Sequence, residues 1–256
     1  LTLSEDVRVI LIKLSDRLHN MRTMDIMARE KQMKIASETQ YIYAPLANRL
    51  GLYKLKSELE DLSFKYLQPE VYTNIKKQIT KVTESKLEFY ADFIKPIEAG
   101  LNKLQLDFSI SRNIHSVYSM WKKMKKSELS VGEIRDTESI DIVIDSDQES
   151  EKLNCWAVYS VISSIYKPNS KRLRDWISTP KANGYEAIHT TVMSSTGRWV
   201  DIHIRSKRMD EIANKGYAAY WKYKDGTKAE IGLDHWLKRT RELISDDSND
   251  ETINFI

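Results

Sequence analysis

A single cysteine in 256 residues leaves no partner for an internal disulfide and no cysteine-rich zinc site, and it fits a reducing cytosol. That residue, Cys155, sits in the apolar run Cys155-Trp156-Ala157-Val158-Tyr159. No apolar stretch approaches the roughly 20 residues that cross a bilayer, so no membrane partner is expected. Neither sign of charge dominates. Forty Lys and Arg against 37 Asp and Glu leave a formal +3, too small an excess to indicate nucleic acid by itself. The first residues lack the basic start and apolar core of a signal peptide. They read as the entry to a helix, with Ser4 placed to cap and Glu5 and Asp6 suited to its positive end. A chain that opens one step before a buried-looking helix is expected to continue upstream.

With only five prolines and eight glycines, the breakers that do occur carry information. From about Glu5 to Leu101 the periodicity is helical. Val7, Ile10, Leu11, Leu14, Leu18 and Met21 recur as one apolar face, Pro45 and Gly51 punctuate, Pro69 starts a helix and Pro96 is expected to interrupt the last long one. From Leu106 the period changes. Ile140–Ile144, Ala187–Met193 and Val200–Ile204 read as strands, the last two joined through Ser194-Ser195-Thr196-Gly197 as a hairpin. Helices are expected over Leu153–Ile165 and Met209–Tyr223. The reading is an α+β chain: a helical unit over 1–100, a mixed α/β unit over 101–226, and a C-terminal helix with an acidic, polar tail over 227–256.

On the first helix Lys13, Asp16, Asn20 and Thr23 fall at steps of three and four, away from the apolar face. A carboxylate, an amide and a hydroxyl in one stripe could hold a cation and a phosphorylated ligand, although spacing alone favours a solvated helix face. The string Lys13-Leu14-Ser15-Asp16-Arg17-Leu18-His19-Asn20-Met21-Arg22-Thr23 resembles the late motif of the (p)ppGpp hydrolase domain, an HD-type phosphohydrolase. The resemblance implies that Asp16 is the last ligand of a Mn²⁺ ion and that Asn20 and Thr23 contact nucleotide. The other ligands and the catalytic Glu-Asp pair of that family would lie upstream, so this stretch alone is not expected to hydrolyse (p)ppGpp.

The second candidate site begins at Lys171-Arg172-Leu173-Arg174-Asp175-Trp176 and continues to Lys181-Ala182-Asn183-Gly184-Tyr185-Glu186-Ala187-Ile188-His189. Lys and Arg can neutralise a polyphosphate, an exposed Tyr can stack on a base, and Gly lets the backbone approach closely. The string is similar to the guanine-nucleotide loop of RelA/SpoT synthetases, and the wording of Arg174–Pro180 and Met209–Ala213 lies nearest their Bacteroidetes branch. This resemblance implies that Tyr185 stacks on guanine, that Lys181 and Asn183 help hold the acceptor GDP or GTP, that His189 faces its phosphates, and that Arg172 and Arg174 meet phosphates.

A synthetase of this family moves pyrophosphate from ATP to the ribose 3′ oxygen, which needs Mg²⁺, a base and cations on the transferring group. Asp136 stands at the family's metal-binding Asp, and Asp201 at its catalytic Glu with a side chain one bond shorter. Donor-side cations of the family become Asn113 and His115, an Arg becomes Asp141, and a late His becomes Tyr220. Arg112 lies one residue off and is expected to point elsewhere. The reading is a synthetase domain that keeps affinity for guanine nucleotide (GDP, GTP or ppGpp), binds ATP weakly or not at all and has lost transfer, within a cytoplasmic protein acting mainly as a (p)ppGpp 3′-pyrophosphohydrolase. The alternatives are a working GTP/GDP pyrophosphokinase using Asp136 and Asp201, and a nucleotide sensor without activity. No direct nucleic-acid contact is expected, and the ribosome only through regions beyond this sequence.

Overall fold

The computed structural model describes residues 7–134, 137–181 and 184–216. The helical periodicity resolves into α1 (Val7–Thr23), α2 (Arg29–Glu38), α3 (Ala44–Arg49), α4 (Tyr53–Leu67), α5 (Pro69–Glu84) and α6 (Leu87–Asn102). One wide π turn, Thr39–Tyr43, joins α2 to α3. Ile10, Leu14 and Met21 of α1 are buried with Ala36, Ala44, Ala47, Leu50 and Leu59, so the apolar stripe read from spacing is the seam of the helical unit. Ser4, Glu5 and Asp6 lie outside the described residues.

Pro96 does not interrupt α6, which runs unbroken through it. An interior proline removes one backbone bond and costs about 3 kcal/mol. Burial of Tyr90, Phe93, Ile97 and Leu101 against the sheet offsets that cost. Gly100 permits the close approach of this helix to its neighbour, because a Cβ there would stand 2.6 Å from Val161 Cγ1.

The α/β unit follows as β1 (Asp107–Ile114), α7 (Val117–Ser127), β2 (Glu138–Asp145), α8 (Glu151–Ile165), β3 (Lys167–Pro168), β4 (Arg174–Asp175), β5 (Ile188–Met193), β6 (Trp199–Ser206) and α9 (Lys207–Lys215). The strand order is β1-β2-β6-β5-β3, with β4 on β5. β2 and β6 are parallel, and the other pairs antiparallel. The expected β5–β6 hairpin is present, closed through Gly197 with φ 77°. α9 ends at Lys215, short of the expected Tyr223, and everything beyond Gly216 lies outside the described residues.

Register and strand alternation give the sheet two unlike faces. Ile140, Ile142 and Ile144 pair in register with Ile202, Ile204 and Ser206, and this isoleucine face packs on α6 and α8. The other face carries Ser139 beside Asp201 and Thr191, then Asp141 beside His203 and His189. A polar sheet face directly behind a hydrophobic core is a costly arrangement unless its groups satisfy one another or a ligand.

Candidate nucleotide site

The loop into β5 is a tight turn. Gly184 N–H donates to Lys181 O at 2.8 Å and Lys181 N–H to Tyr185 O at 3.1 Å, with Gly184 at φ 78°, where a side chain would be strained. Lys181 Nζ lies 4.8 Å over the Trp176 ring and 5.3 Å from the centre of the Tyr185 ring. Burial pulls the Lys181 ammonium below its ordinary value.

Tyr185 is not the exposed aromatic expected from the sequence. It is half-buried, meeting Tyr53 of α4 edge-on at 5.7 Å and the His189 ring at 5.6 Å. Its hydroxyl lies 2.7 Å from His189 Nε2. Burial, followed by the neighbouring charges of His203, Lys181 and Arg205, pushes His189 down to about 2, so it is a neutral imidazole. Burial also raises the Tyr185 phenol to about 12.

Behind this pair the polar face is closed by Asp141. Its carboxylate accepts from His203 Nδ1 at 3.0 Å, Arg205 Nη2 at 2.8 Å and Asn113 Nδ2 at 3.3 Å. Burial works to raise this carboxyl, but the His203 bond and the Arg205 charge outweigh it and hold it at about 2. Arg205 also donates to Asp210 of α9 at 2.8 Å. Asp141 is 5 % exposed and its charge is matched by Arg205, so it does not stand as an unpaired negative charge on this face. Sequence reasoning missed His203 and Arg205, although their alternation with Asp201 along one strand was the available signal.

At the other end of the face, Asp201 accepts from the Thr191 hydroxyl and lies 3.9 Å from Arg172 Nη1. Arg174 donates to Lys171 O at 2.9 Å and pairs in register with His189. The structure thus places His189 and Asp201 on one face of the β5–β6 pair, with Arg172 near Asp201, Arg174 and Tyr185 beside His189, and Lys181 against the Tyr185 ring. Asp136 and Asn183 lie outside the described residues, as does Tyr220. Arg112 points to the opposite face, where it binds Glu138 and lies 4.5 Å over Tyr90.

On α1 Lys13, Asp16 and Thr23 of the expected stripe are exposed and Asn20 is half-buried. Asn20 Nδ2 donates to Asp16 Oδ2 at 3.1 Å, and Thr23 Oγ1 to His19 O at 3.0 Å. Among the described residues no group of three or more His, Cys, Asp or Glu is placed to hold a metal ion. Asp16 alone does not make a Mn²⁺ site. On β2 and β6 the described polar face offers the carboxylates of Asp201 and of Asp141, the latter engaged by Arg205. No helix among the described residues is long and apolar enough to cross a membrane.

A helical unit joined to a sheet whose polar face meets a cationic loop is matched by two families. Residues 1–53 match the HD domain, and residues 112–228 match the region found in RelA/SpoT proteins. The chain belongs to the RelA/SpoT family. It is 36% identical over 251 residues to a guanosine-3′,5′-bis(diphosphate) 3′-pyrophosphohydrolase of Aquifex aeolicus, covering 97% of this chain and 35% of the relative. To a GTP pyrophosphokinase of Myxococcus xanthus it is 37% identical over 250 residues, covering 96% and 32%. To the bifunctional (p)ppGpp synthase/hydrolase SpoT of Escherichia coli it is 37% identical over 244 residues, covering 93% and 34%. The chain therefore spans about one third of the length of these relatives.

Proposed function

We propose that the protein carrying this chain is a cytoplasmic enzyme of (p)ppGpp metabolism, acting mainly as a Mn²⁺-dependent 3′-pyrophosphohydrolase. Its α/β unit binds guanine nucleotide at the loop around Tyr185 without transferring pyrophosphate. The HD match and the relatives' names, which include hydrolase and pyrophosphokinase, support the substrate class. In this reading Asp16 is one ligand of a Mn²⁺ centre completed by residues outside this sequence, with Asn20 and Thr23 beside the nucleotide. Mg²⁺ belongs with Asp136 and Asp201 if transfer occurs.

The observation that carries the reading is an asymmetry around the polar face. Lys181, Tyr185 and His189 converge on one side, with Arg172 3.9 Å from Asp201. On the donor side Asn113 bonds Asp141, and Arg112, the cation nearest in sequence, is committed to Glu138. A polyphosphate donor meets an amide and a neutralised ion pair where transfer needs positive charge.

Calorimetry on the purified chain tests this. GDP is expected to bind, and Tyr185→Ala to weaken it about tenfold, since base–aromatic stacking is worth about 1–3 kcal/mol and about 1.4 kcal/mol is a factor of ten. ATP is expected to bind weakly. Tight ATP binding with efficient ppGpp production would establish the pyrophosphokinase instead. In the full-length protein Asp16→Ala should abolish Mn²⁺-dependent ppGpp hydrolysis. A full-length wild type that hydrolyses nothing but binds GDP would be a sensor.

A further inference from the structure

We infer that Asp141 is the positioning residue of the guanine-nucleotide loop: it fixes His203, the His203 ring packs on His189, and His189 holds the Tyr185 hydroxyl in place. The inference rests on the reading that Tyr185 receives the base.

The chain of contacts is continuous. Asp141 accepts from Arg205 Nη2 at 2.8 Å, which holds the carboxylate in the row. The same carboxylate accepts from His203 Nδ1 at 3.0 Å, and the His203 ring lies 4.0 Å from the His189 ring at a 32° tilt. His189 Nε2 then meets the Tyr185 hydroxyl at 2.7 Å. The path starts at the Asp141 carboxylate and ends at the Tyr185 oxygen. That oxygen is the far end of a ring carried on a turn, whose backbone alone would leave the ring free to rotate about its χ angles.

Register explains why position 141 can do this. Asp141, His203 and His189 are direct neighbours across β2, β6 and β5, so their side chains rise in a row from one face. Arg205, two residues along β6, reaches back to Asp141 while Asp210 holds its Nε. A neutral residue at 141 would leave Arg205 buried with Asp210 as its remaining charged partner and His203 without a fixed tautomer. An aromatic held at its hydroxyl end presents a fixed edge and face to a base, which lowers the ordering cost of binding.

The test is a double-mutant cycle read by GDP calorimetry on the whole chain, using Asp141→Asn and Tyr185→Phe. Asp141→Asn alone is expected to weaken GDP about fivefold or more. Made in the Tyr185→Phe background, where the anchored hydroxyl is gone, it should change affinity less than twofold. Equal losses in both backgrounds would mean that Asp141 acts on general stability, overturning the inference. Long-range ¹H–¹⁵N spectra of the histidine rings, assigned with His189→Asn and His203→Asn, give an independent signature. Asp141→Asn should alter the ring-nitrogen shifts of both His203 and His189, and unchanged His189 shifts would overturn the positioning role. Should Asp141→Asn not fold, His203→Asn cuts the link between Asp141 and His189 and enters the same cycle with the same expected pattern. If the wild type fails to bind GDP, the nucleotide reading falls while the ring-nitrogen spectra still decide whether Asp141 orders His189.

Discussion

At the residue scale, the informative side chains are those whose charge is cancelled inside the fold. Asp141 is the clearest, since the sequence presents a lone carboxylate at a place where cations are expected and the fold answers it with Arg205 and His203. Reverting it to the family's Arg is therefore not a repair. Asp141→Arg breaks the buried Asp141–Arg205 pair and sets a second guanidinium against Arg205 with Asp210 left beside it, and breaking a buried pair costs about 3–5 kcal/mol. Chemical denaturation should show a loss of that order, and a variant as stable as wild type would contradict the pairing. His189 gives a pH prediction. Its folded value of about 2 lies below the ordinary value near 6.5, so above pH ~6.5 it is neutral folded or unfolded and contributes nothing. Below that, the unfolded chain takes up a proton that the fold refuses, and stability falls with a limiting slope of ~1.4 kcal/mol per pH unit. Asp141, held low, adds in the same direction only below about pH 4. Denaturation midpoints between pH 7 and 4.5 should fall for wild type and flatten in His189→Asn.

At the element scale, helix α4 does more than its amphipathic pattern announces. Asp61 accepts the backbone N–H groups of Val117 at 3.1 Å and Tyr118 at 2.8 Å, capping α7 from across the molecule. Burial raises the Asp61 carboxyl while these two bonds oppose it. Asp61→Ala should cost about 1–2 kcal/mol, the range of a lost N-cap, and a smaller loss in thermal unfolding would show that Ser116, which accepts from Ser119 N–H, suffices. Further along α4, Phe64 packs on Tyr118 and Trp121, and Tyr53 at its start touches Tyr185. One helix of the first unit thus contacts both the start of α7 and the nucleotide loop.

At the scale of the whole molecule, we propose the division into a helical unit up to about residue 100 and an α/β unit beyond it as a domain boundary that a truncation series can refine. Tyr90, Phe93, Ile97 and Leu101 of α6 cover the isoleucine face of the sheet. A chain beginning at Lys86 should therefore keep a cooperative thermal transition, whereas one beginning at Lys103 should lose it and expose apolar surface to a hydrophobic dye. Equal transitions in both would place α6 outside the α/β core.

The sequence by itself determined much of this protein. Period-3.6 and period-2 patterns located α1 and strands β2, β5 and β6, because a half-buried element must alternate to bury one side. The strings around Asp16 and Lys181–His189 carried the family, because chemistry at a fixed loop constrains residues that lie close together in the chain. What only the tertiary structure decided is which charges meet. Asp141 and Arg205 lie 64 residues apart, and Asp61 and Tyr118 57 apart. Strand register and helix packing bring them within hydrogen-bond distance, and no periodicity along the chain encodes that encounter. Pro96 and Tyr185 show the same rule in reverse. A breaker is overridden when its helix has a sheet to lie on, and an aromatic read as exposed is half-buried when another helix supplies Tyr53 against it. Local signals fix what each segment prefers, and long-range burial and ion pairing decide what each side chain does.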